Sequence, residues 1–552
     1  MTPNKNVPPH NLPGIFEIPP TLTHNHLYYG DNLTIMRTMP NACIDLIYLD
    51  PPFNSQRNYN LIYEKLTGLP VPEQEEAFCD AWDMDAEKEE MARKMPIVLR
   101  EYGVDEDIVL FWKAWIDALR HTQPKLLAYL VYMSYRLFEM RRILKPTGSI
   151  YLHCDPTASH YIKVIMDGVF GHQNFMTEIA WERFNFHADA HRWGHLHDII
   201  LHYVRDIKHF TFNTQRREYD SKYIESHFKE DESGRLYSLD NAVAKGQGTA
   251  RVFGDKLLEP PKGTHWRWGQ EKIDELIKSG RIIMTSNNRP RIKRYLDEMP
   301  GHAVGDVWTD ISEINSQAKE RLGYPTQKPI ALLNRIIEAS SNPGDVVFDP
   351  FCGCGTAVYA AHLLGRKWIG CDIAILSVKL VRDVLLKRYG LKEDEHYQIS
   401  GIPLSIEGAQ ELFDHDPRQF QHWAVELAGG FASTKHSDDK GIDGRIHFET
   451  KDGLKNMILS VKGGKLTPAF MRELRGTFER EPGTEMGGFI CLQEATKGML
   501  SEAASAGMYT YQGKDYPRLQ IRTAQDLLDG KGFDTPSKVQ TLDWTNQAVL
   551  PI

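Results

Sequence analysis

Cysteine is scarce in this chain. Seven residues among 552 stand at 43, 79, 154, 352, 354, 371 and 491, with neither the spacing of a disulfide framework nor a paired CxxC. That pattern excludes a disulfide-stapled scaffold and a zinc-ribbon site, and it points to a reducing cytoplasm. No stretch reaches the roughly 18 apolar residues of a membrane span, and the opening MTPNKNVPPHNLPGIFEIPP lacks the apolar centre of a signal peptide. No membrane partner is therefore expected. Positive charge is not in excess either: the formal net charge is -9, so any nucleic-acid partner must be met by a local basic surface. Internal repeats and the GxGxxG of a dinucleotide site are absent as well.

What is present is an alternation of buried strands and helices. At about 150 residues per domain the length suggests two to four units. After a Pro- and Asn-rich arm (1–26), LYYG, DNLTIMRTM and CIDLIYL read as strand, helix and strand, the last a continuous apolar run covered on both faces. Residues 70–120 suggest a helical insertion, and LAYLVYMSYRLFEMRRIL a helix stopped by Pro and Gly before the strand SIYLHC. The alternation fades over 205–310, where KGTHWRWGQEK and NNRPRIKRY interleave basic and aromatic residues. A solvated surface is the bland reading of any one such run. Their recurrence between two α/β halves favours a nucleic-acid surface, with Trp266, Arg267, Trp268, Arg289, Arg291 and Lys293 as its candidates. The pattern resumes over 311–395, a polar stretch at 396–415 reads as a linker, and a separate domain occupies 416–552.

Two strand ends carry the chemistry. In DVVFDPFCGCGT an apolar strand ends at Asp349, and Gly353 and Gly355 let the backbone turn tightly before a helix begins at Thr356. The next strand ends at Asp372, about 20 residues on, the spacing at which an acid accepts hydrogen bonds from ribose hydroxyls. A tight turn with no ligand is the plain alternative for this loop taken alone. Cys352 and Cys354 read as small buried residues, not as metal ligands. The second strand end is IYLDPPFNS, where Asp50 is followed by Pro51, Pro52 and Phe53. Two residues without N–H groups make that turn rigid and leave the carboxylate no competing donor from either. In open α/β sheets, ligands bind beyond the carboxyl ends of strands where strand order reverses. If Asp50 and Asp349 end neighbouring strands at that reversal, both motifs face one pocket.

These motifs, with YYGDNL, LKPTGSIYLHCD, NFMTEIAW, HDIILHYV, GDVWTDI and GYPTQKP, resemble the β-type amino-directed DNA methyltransferases, especially modification subunits of type III restriction systems. The resemblance spans about 27–390. It implies a Rossmann-like α/β methyltransferase sheet with an inserted target-recognition region, S-adenosylmethionine as cofactor and double-stranded DNA as partner. By the same resemblance Asp349, Phe351, Gly353 and Gly355 lie around the methionine part of the cofactor, Asp372 at its ribose, Asp31 near its adenine and Lys328 near its carboxylate. Asp50 and the Pro51 carbonyl then grip the amino group of a flipped base, with Pro52 bracing them and Phe53 stacking on the base. An initial Asp goes with adenine N6. The family usually has Ser where Cys354 stands. N4-cytosine or RNA methylation, and a DNA-recognition or endonuclease protein whose methyltransferase half reads sites, are the competing readings. A homodimer and a restriction-system partner subunit both remain open.

The C-terminal segment holds GIDGRIHFETKDGLKNMILSVKGGK. A hairpin turning at Asp452-Gly453 sets Asp443 opposite Lys462, with Ser460 on the same face. This resembles a smaller α/β domain of the restriction-endonuclease-like, Mrr type, which implies Mg²⁺ bound at Asp443. Ser460 stands where that pattern has an acid or Gln, and Glu426 on the preceding helix is the candidate to replace it. An active nuclease, a nuclease fold kept for DNA binding, and a structural domain are the three readings.

Overall fold

The computed structural model describes residues 25–52, 82–155, 158–183, 193–194, 196–315, 318–322, 324, 326–433, 441–451 and 453–536. The chain divides into two compact units, Thr214–Gly305 and the remainder. The inserted unit is thus shorter at both ends than the 205–310 expected. Residues 205–213 belong to the larger unit, where the Arg205 N–H donates to Gly148 O (2.9 Å) and the Asn213 amide to Glu338 O (2.9 Å).

The larger unit is built on a nine-stranded sheet. Its strands are β1 (Asn25–Tyr29), β2 (Ile44–Leu49), β3 (Leu144–Cys154), β4 (Phe175–Glu182), β5 (His197–Val204), β6 (Val307–Trp308), β7 (Val346–Asp349), β8 (Lys367–Asp372) and β9 (Tyr397–Ser400), in the order β6-β4-β5-β3-β2-β7-β8-β1-β9. β5 runs antiparallel to both β3 and β4, and the other neighbours are parallel. All six residues of β2 are buried, as a parallel strand sandwiched between helices requires. The helix Pro124–Ile143 is buried around most of its circumference and packs with Ile47, Leu49, Ile150 and Phe348 in one core.

The expected helical insertion is present among the described residues as Ala86–Glu101 and Glu106–Thr122, capped by Asp85 and Asp105; residues 53–81, Phe53 among them, lie outside the described residues. The expected linker at 396–415 is corrected: it contains β9, an edge strand, and the helix Ile406–His415 with Ser405 as its cap. A short, part-exposed edge strand carries little apolar pattern, which is why composition alone reads it as linker.

Beyond it, β10 (Phe431–Ala432), β11 (Gly444–Thr450), β12 (Gly453–Lys462), β13 (Thr484–Cys491) and β14 (Leu519–Thr523) form a second sheet in chain order. Ile458, Met471, Phe478, Phe489 and Met499 make its separate core. The register differs from the expected one: Thr450 pairs with Gly453 and Gly444 with Leu459. Gly453 has φ +108° and closes the turn as a paired residue, so Asp443 falls level with Ser460, not Lys462.

In the inserted unit, a four-stranded sheet (Ile282–Met284, Pro290–Tyr295, Leu236–Asn241, Lys229–Glu230) accompanies the helix Gln270–Lys278. Its core contains Phe253, Trp266, Ile273, Leu276 and Ile282.

Candidate functional site

Strand order reverses between β2 and β7. The chain leaves β2 towards β3 on one side and β7 towards β8 on the other, with Phe348 beside Ile47 and Val347 beside Leu46. Asp349 closes β7 and Asp50 follows β2, so the two carboxylates emerge at adjoining strand ends. Pro51 is buried and Pro52 exposed.

Three remote segments are tied together beside them. The Asn32 amide donates to Pro350 O (2.7 Å) and the Gly30 N–H to Asp372 O (3.0 Å), while the Gly353 N–H donates to the Asp372 carboxylate (2.8 Å). Gly353 and Gly355 have φ of +50° and +84°, a region costly for other residues. A Cβ at Gly355 would stand 2.8 Å from Val381 Cγ2, and one at Gly353 3.2 Å from the Tyr324 ring. The turn is therefore as tight as a glycine backbone permits. Asp31 caps the helix Asn32–Thr38 through the Leu33 and Thr34 N–H groups and pairs with buried Arg136, whose Nε donates to Asn32 Oδ1 (2.7 Å).

The electrostatics of this edge are dominated by acids. Burial, with Asp50 nearby, pushes the Asp349 carboxyl well above the usual range, although the Phe351 N–H donates to it (3.0 Å). Burial lifts Asp372 to about 6, against the N–H groups of Ala374 and Gly353. The Lys328 ammonium, 5% exposed, pairs with Asp50. Lys328 thus sits on the catalytic candidate, which no local motif reveals. Behind it lies a buried chain: the Tyr48 hydroxyl hydrogen-bonds with His153 Nδ1 (3.1 Å), His153 Nε2 with Asp198 (3.0 Å), and Arg183 Nη1 donates to Asp198 (3.0 Å). Burial also pushes Cys352 and Cys354 up, the latter to about 11, so both are neutral thiols. Cys354 Sγ lies 3.6 Å from Thr356 Oγ1, the contact that a Ser would make more strongly.

These residues fit S-adenosylmethionine. Asp50 and Asp372 outnumber Lys328 at this edge, which suits a cationic sulfonium, and Asp372 with the glycine turn suits a ribose and a close-lying chain.

At the expected nuclease site, Asp443 lies 3.6 Å from Lys462 Nζ and accepts from the Val461 N–H (2.6 Å). Ser460 is buried beside them. Glu426 is directed elsewhere: its Oε2 accepts the Ile375 N–H (3.0 Å) at the cofactor edge. Among the described residues no group of three or more His, Cys, Asp or Glu side chains is arranged to hold a metal ion, and residues 434–440 beside Asp443 lie outside the described residues.

On the inserted unit, Trp266 is a core residue whose Nε1 donates to Leu258 O (3.2 Å), and Trp268 packs against the same core. This corrects the expectation of a presented Trp266 ring, since apolar packing claims it. Arg267 pairs with Asp240 (3.0 Å), Arg291 donates to Asn241, Lys293 lies over the Tyr237 ring (4.7 Å), and Arg289 is exposed on a turn.

The family model N6_N4_Mtase, described as DNA methylase, matches residues 44–382, and the chain belongs to that family. The type II methyltransferase M.EcaI of Enterobacter cloacae is 33% identical over 48% of this chain and 58% of its own length. The Mod subunit of the type III restriction-modification enzyme StyLTI of Salmonella typhimurium is 25% identical over 62% of this chain and 51% of its own. The chain thus spans between half and three-fifths of these two relatives. The DNA adenine methyltransferase YhdJ of Escherichia coli is 24% identical over 64% of this chain and 80% of its own. Among solved structures, the cytosine-N4-specific PvuII DNA methyltransferase aligns with 67% of this chain and 89% of its own at 13% identity and a TM-score of 0.33, a likeness too slight to bear on the choice of base. No described helix is long and apolar enough to cross a membrane.

Proposed function

We propose that this protein methylates adenine N6 at a specific site in double-stranded DNA, using S-adenosylmethionine. The observation that carries the reading is the emergence of Asp50 and Asp349 at adjoining strand ends, next to the glycine turn and Asp372. When bound, the cofactor supplies an electrophilic methyl group. The amino group of adenine is a poor nucleophile because its lone pair is delocalised into the ring. Asp50 and the Pro51 carbonyl accept its two N–H bonds, draw the nitrogen towards tetrahedral geometry and aim its lone pair. The base reaches them by leaving the duplex, at a cost of a few kcal/mol. The inserted unit is the target-recognition region, with Arg289, Arg291, Lys293 and Arg267 as its DNA contacts. Asp at position 50 and the likeness to an adenine methyltransferase support adenine over cytosine.

A second reading concerns the C-terminal sheet. Asp443 and Lys462 form a nuclease-like pair, but among the described residues buried Ser460 stands where a second acid or an amide would share the Mg²⁺ with Asp443. On this reading the domain is a nuclease fold kept for DNA binding.

The test is incubation of plasmid DNA with the protein and S-adenosylmethionine, followed by modification-aware sequencing. N6-methyladenine at a defined motif is expected. N4-methylcytosine, or methylation of RNA in preference to DNA, would overturn the reading.

A further inference from the structure

The helix Ile375–Tyr389 begins directly after the ribose acid, and its own cap residue, Ala374, offers no side-chain acceptor. Helix N-termini leave N–H groups that need partners and favour a carboxyl group there. Asp372 accepts the Ala374 N–H (2.9 Å). The next N–H, that of Ile375, goes to Glu426 Oε2 (3.0 Å), and the Gln419 amide donates to Ile373 O (3.2 Å). Both partners lie on one helix, Pro417–Leu427, which leads into the second sheet. That helix is a firm support: Asp416 caps it through the Arg418 and Gln419 N–H groups, and Phe420, Trp423 and Ala424 are fully buried.

We infer that Glu426 and Gln419 are positioning residues for the methyltransferase pocket: from the C-terminal helix they hold Ile373–Ile375, and with it Asp372, in the geometry that receives the cofactor ribose. The inference rests on the proposed reading that the pocket takes S-adenosylmethionine. It gives Glu426 a role other than metal binding and couples the second sheet to cofactor affinity. By linkage, cofactor binding then stabilises this helix contact by the same factor. Burial lifts the Glu426 carboxyl to about 8; the Ile375 N–H and the Lys379 ammonium oppose that rise and Asp372 adds to it. A neutral carboxyl still accepts the Ile375 N–H through its carbonyl oxygen, so a glutamine amide can take its place.

The experiment uses the full chain with Glu426→Ala, Gln419→Ala and Glu426→Gln. S-adenosylmethionine affinity is measured by calorimetry, duplex binding by fluorescence anisotropy, and amide exchange over 373–378 without cofactor. Glu426→Ala and Gln419→Ala are expected to weaken the cofactor about tenfold, as loss of a buried hydrogen bond does, and to speed exchange at 373–378, with duplex affinity unchanged. Glu426→Gln should retain wild-type affinity within about twofold. Wild-type affinity and unchanged exchange in both alanine variants would overturn the inference, as would an equal loss of duplex binding, which marks general loosening. If Glu426→Ala does not fold, Gln419→Ala decides alone. A wild-type protein that binds no S-adenosylmethionine would instead overturn the functional reading, and the exchange data would still judge the clamp.

Discussion

Lys328 and Asp50, 278 positions apart in the chain, form an ion pair at the reversal point of the large sheet. Asp349 is the next acid along that edge, and its charge is opposed by burial and by Asp50. Lys328 thus compensates the Asp50 charge, while burial favours the protonated form of Asp349 beside it. Removing one partner of a buried pair leaves the other uncompensated. Lys328→Met should therefore lower unfolding stability by about 3 kcal/mol, read from urea titrations, with Lys328→Arg losing less. A change below about 1 kcal/mol, the range of exposed pairs, would show that the pair is solvated.

Cofactor affinity should depend on pH through Asp372. Its carboxyl is raised from the ordinary range to about 6 in the folded protein. The cofactor-free fold therefore holds this proton more tightly than the unfolded chain does. That contribution to stability is full below about pH 4 and is lost as pH climbs through about 6. Ribose hydroxyls bind the charged carboxylate best, so S-adenosylmethionine affinity should fall as pH drops below about 6. Calorimetry between about pH 5 and 8 tests this. Asp372→Asn should bind weakly with a flat profile, and a flat wild-type profile would contradict the assignment.

The chain from Arg183 through Asp198 and His153 to Tyr48 ends two residues before Asp50. Burial works against the Asp198 charge, yet the His153 hydrogen bond together with Arg183 holds the carboxyl well below the usual range. Asp198→Ala should cost about 3 kcal/mol of stability, because it removes the buried carboxylate that fully buried His153 and part-buried Arg183 both hydrogen-bond. It should also slow methyl transfer by disturbing the strand that delivers Asp50, and Asp198→Asn should be milder on both counts. Denaturation and single-turnover assays check these outcomes.

Plasmid DNA incubated with the protein and Mg²⁺ should stay supercoiled, as judged on agarose gels. Nicking that requires the metal and vanishes in both Asp443→Ala and Lys462→Ala would return the C-terminal sheet to the active-nuclease reading.

The features legible in the sequence are those encoded locally. An apolar run ending in Asp and two prolines, and another ending in Asp before a glycine turn, mark strand ends without help from the rest of the chain. That β2 and β7 are neighbours was a condition the sequence left open, and the register of Phe348 beside Ile47 supplies it directly. Partners fixed by long-range packing stayed hidden. The Lys328 ammonium has the reach to meet Asp50, and TQKP carries no mark of that choice. Glu426 read as a metal ligand because an acid on a helix does not declare which N–H it faces. Trp266 sits among basic residues in sequence but alternates inward in the fold. The hairpin missed by one turn position because a glycine of positive φ serves either in the loop or as its closing pair.

The most direct test of the central claim is single-turnover methyl transfer by Asp50→Ala, with cofactor and duplex affinities measured on the same protein. Transfer should fall by a factor of about 10² to 10³, the scale of losing one preorganised acceptor at the reacting atom, while S-adenosylmethionine and DNA still bind. Transfer at the wild-type rate by Asp50→Ala would contradict the account.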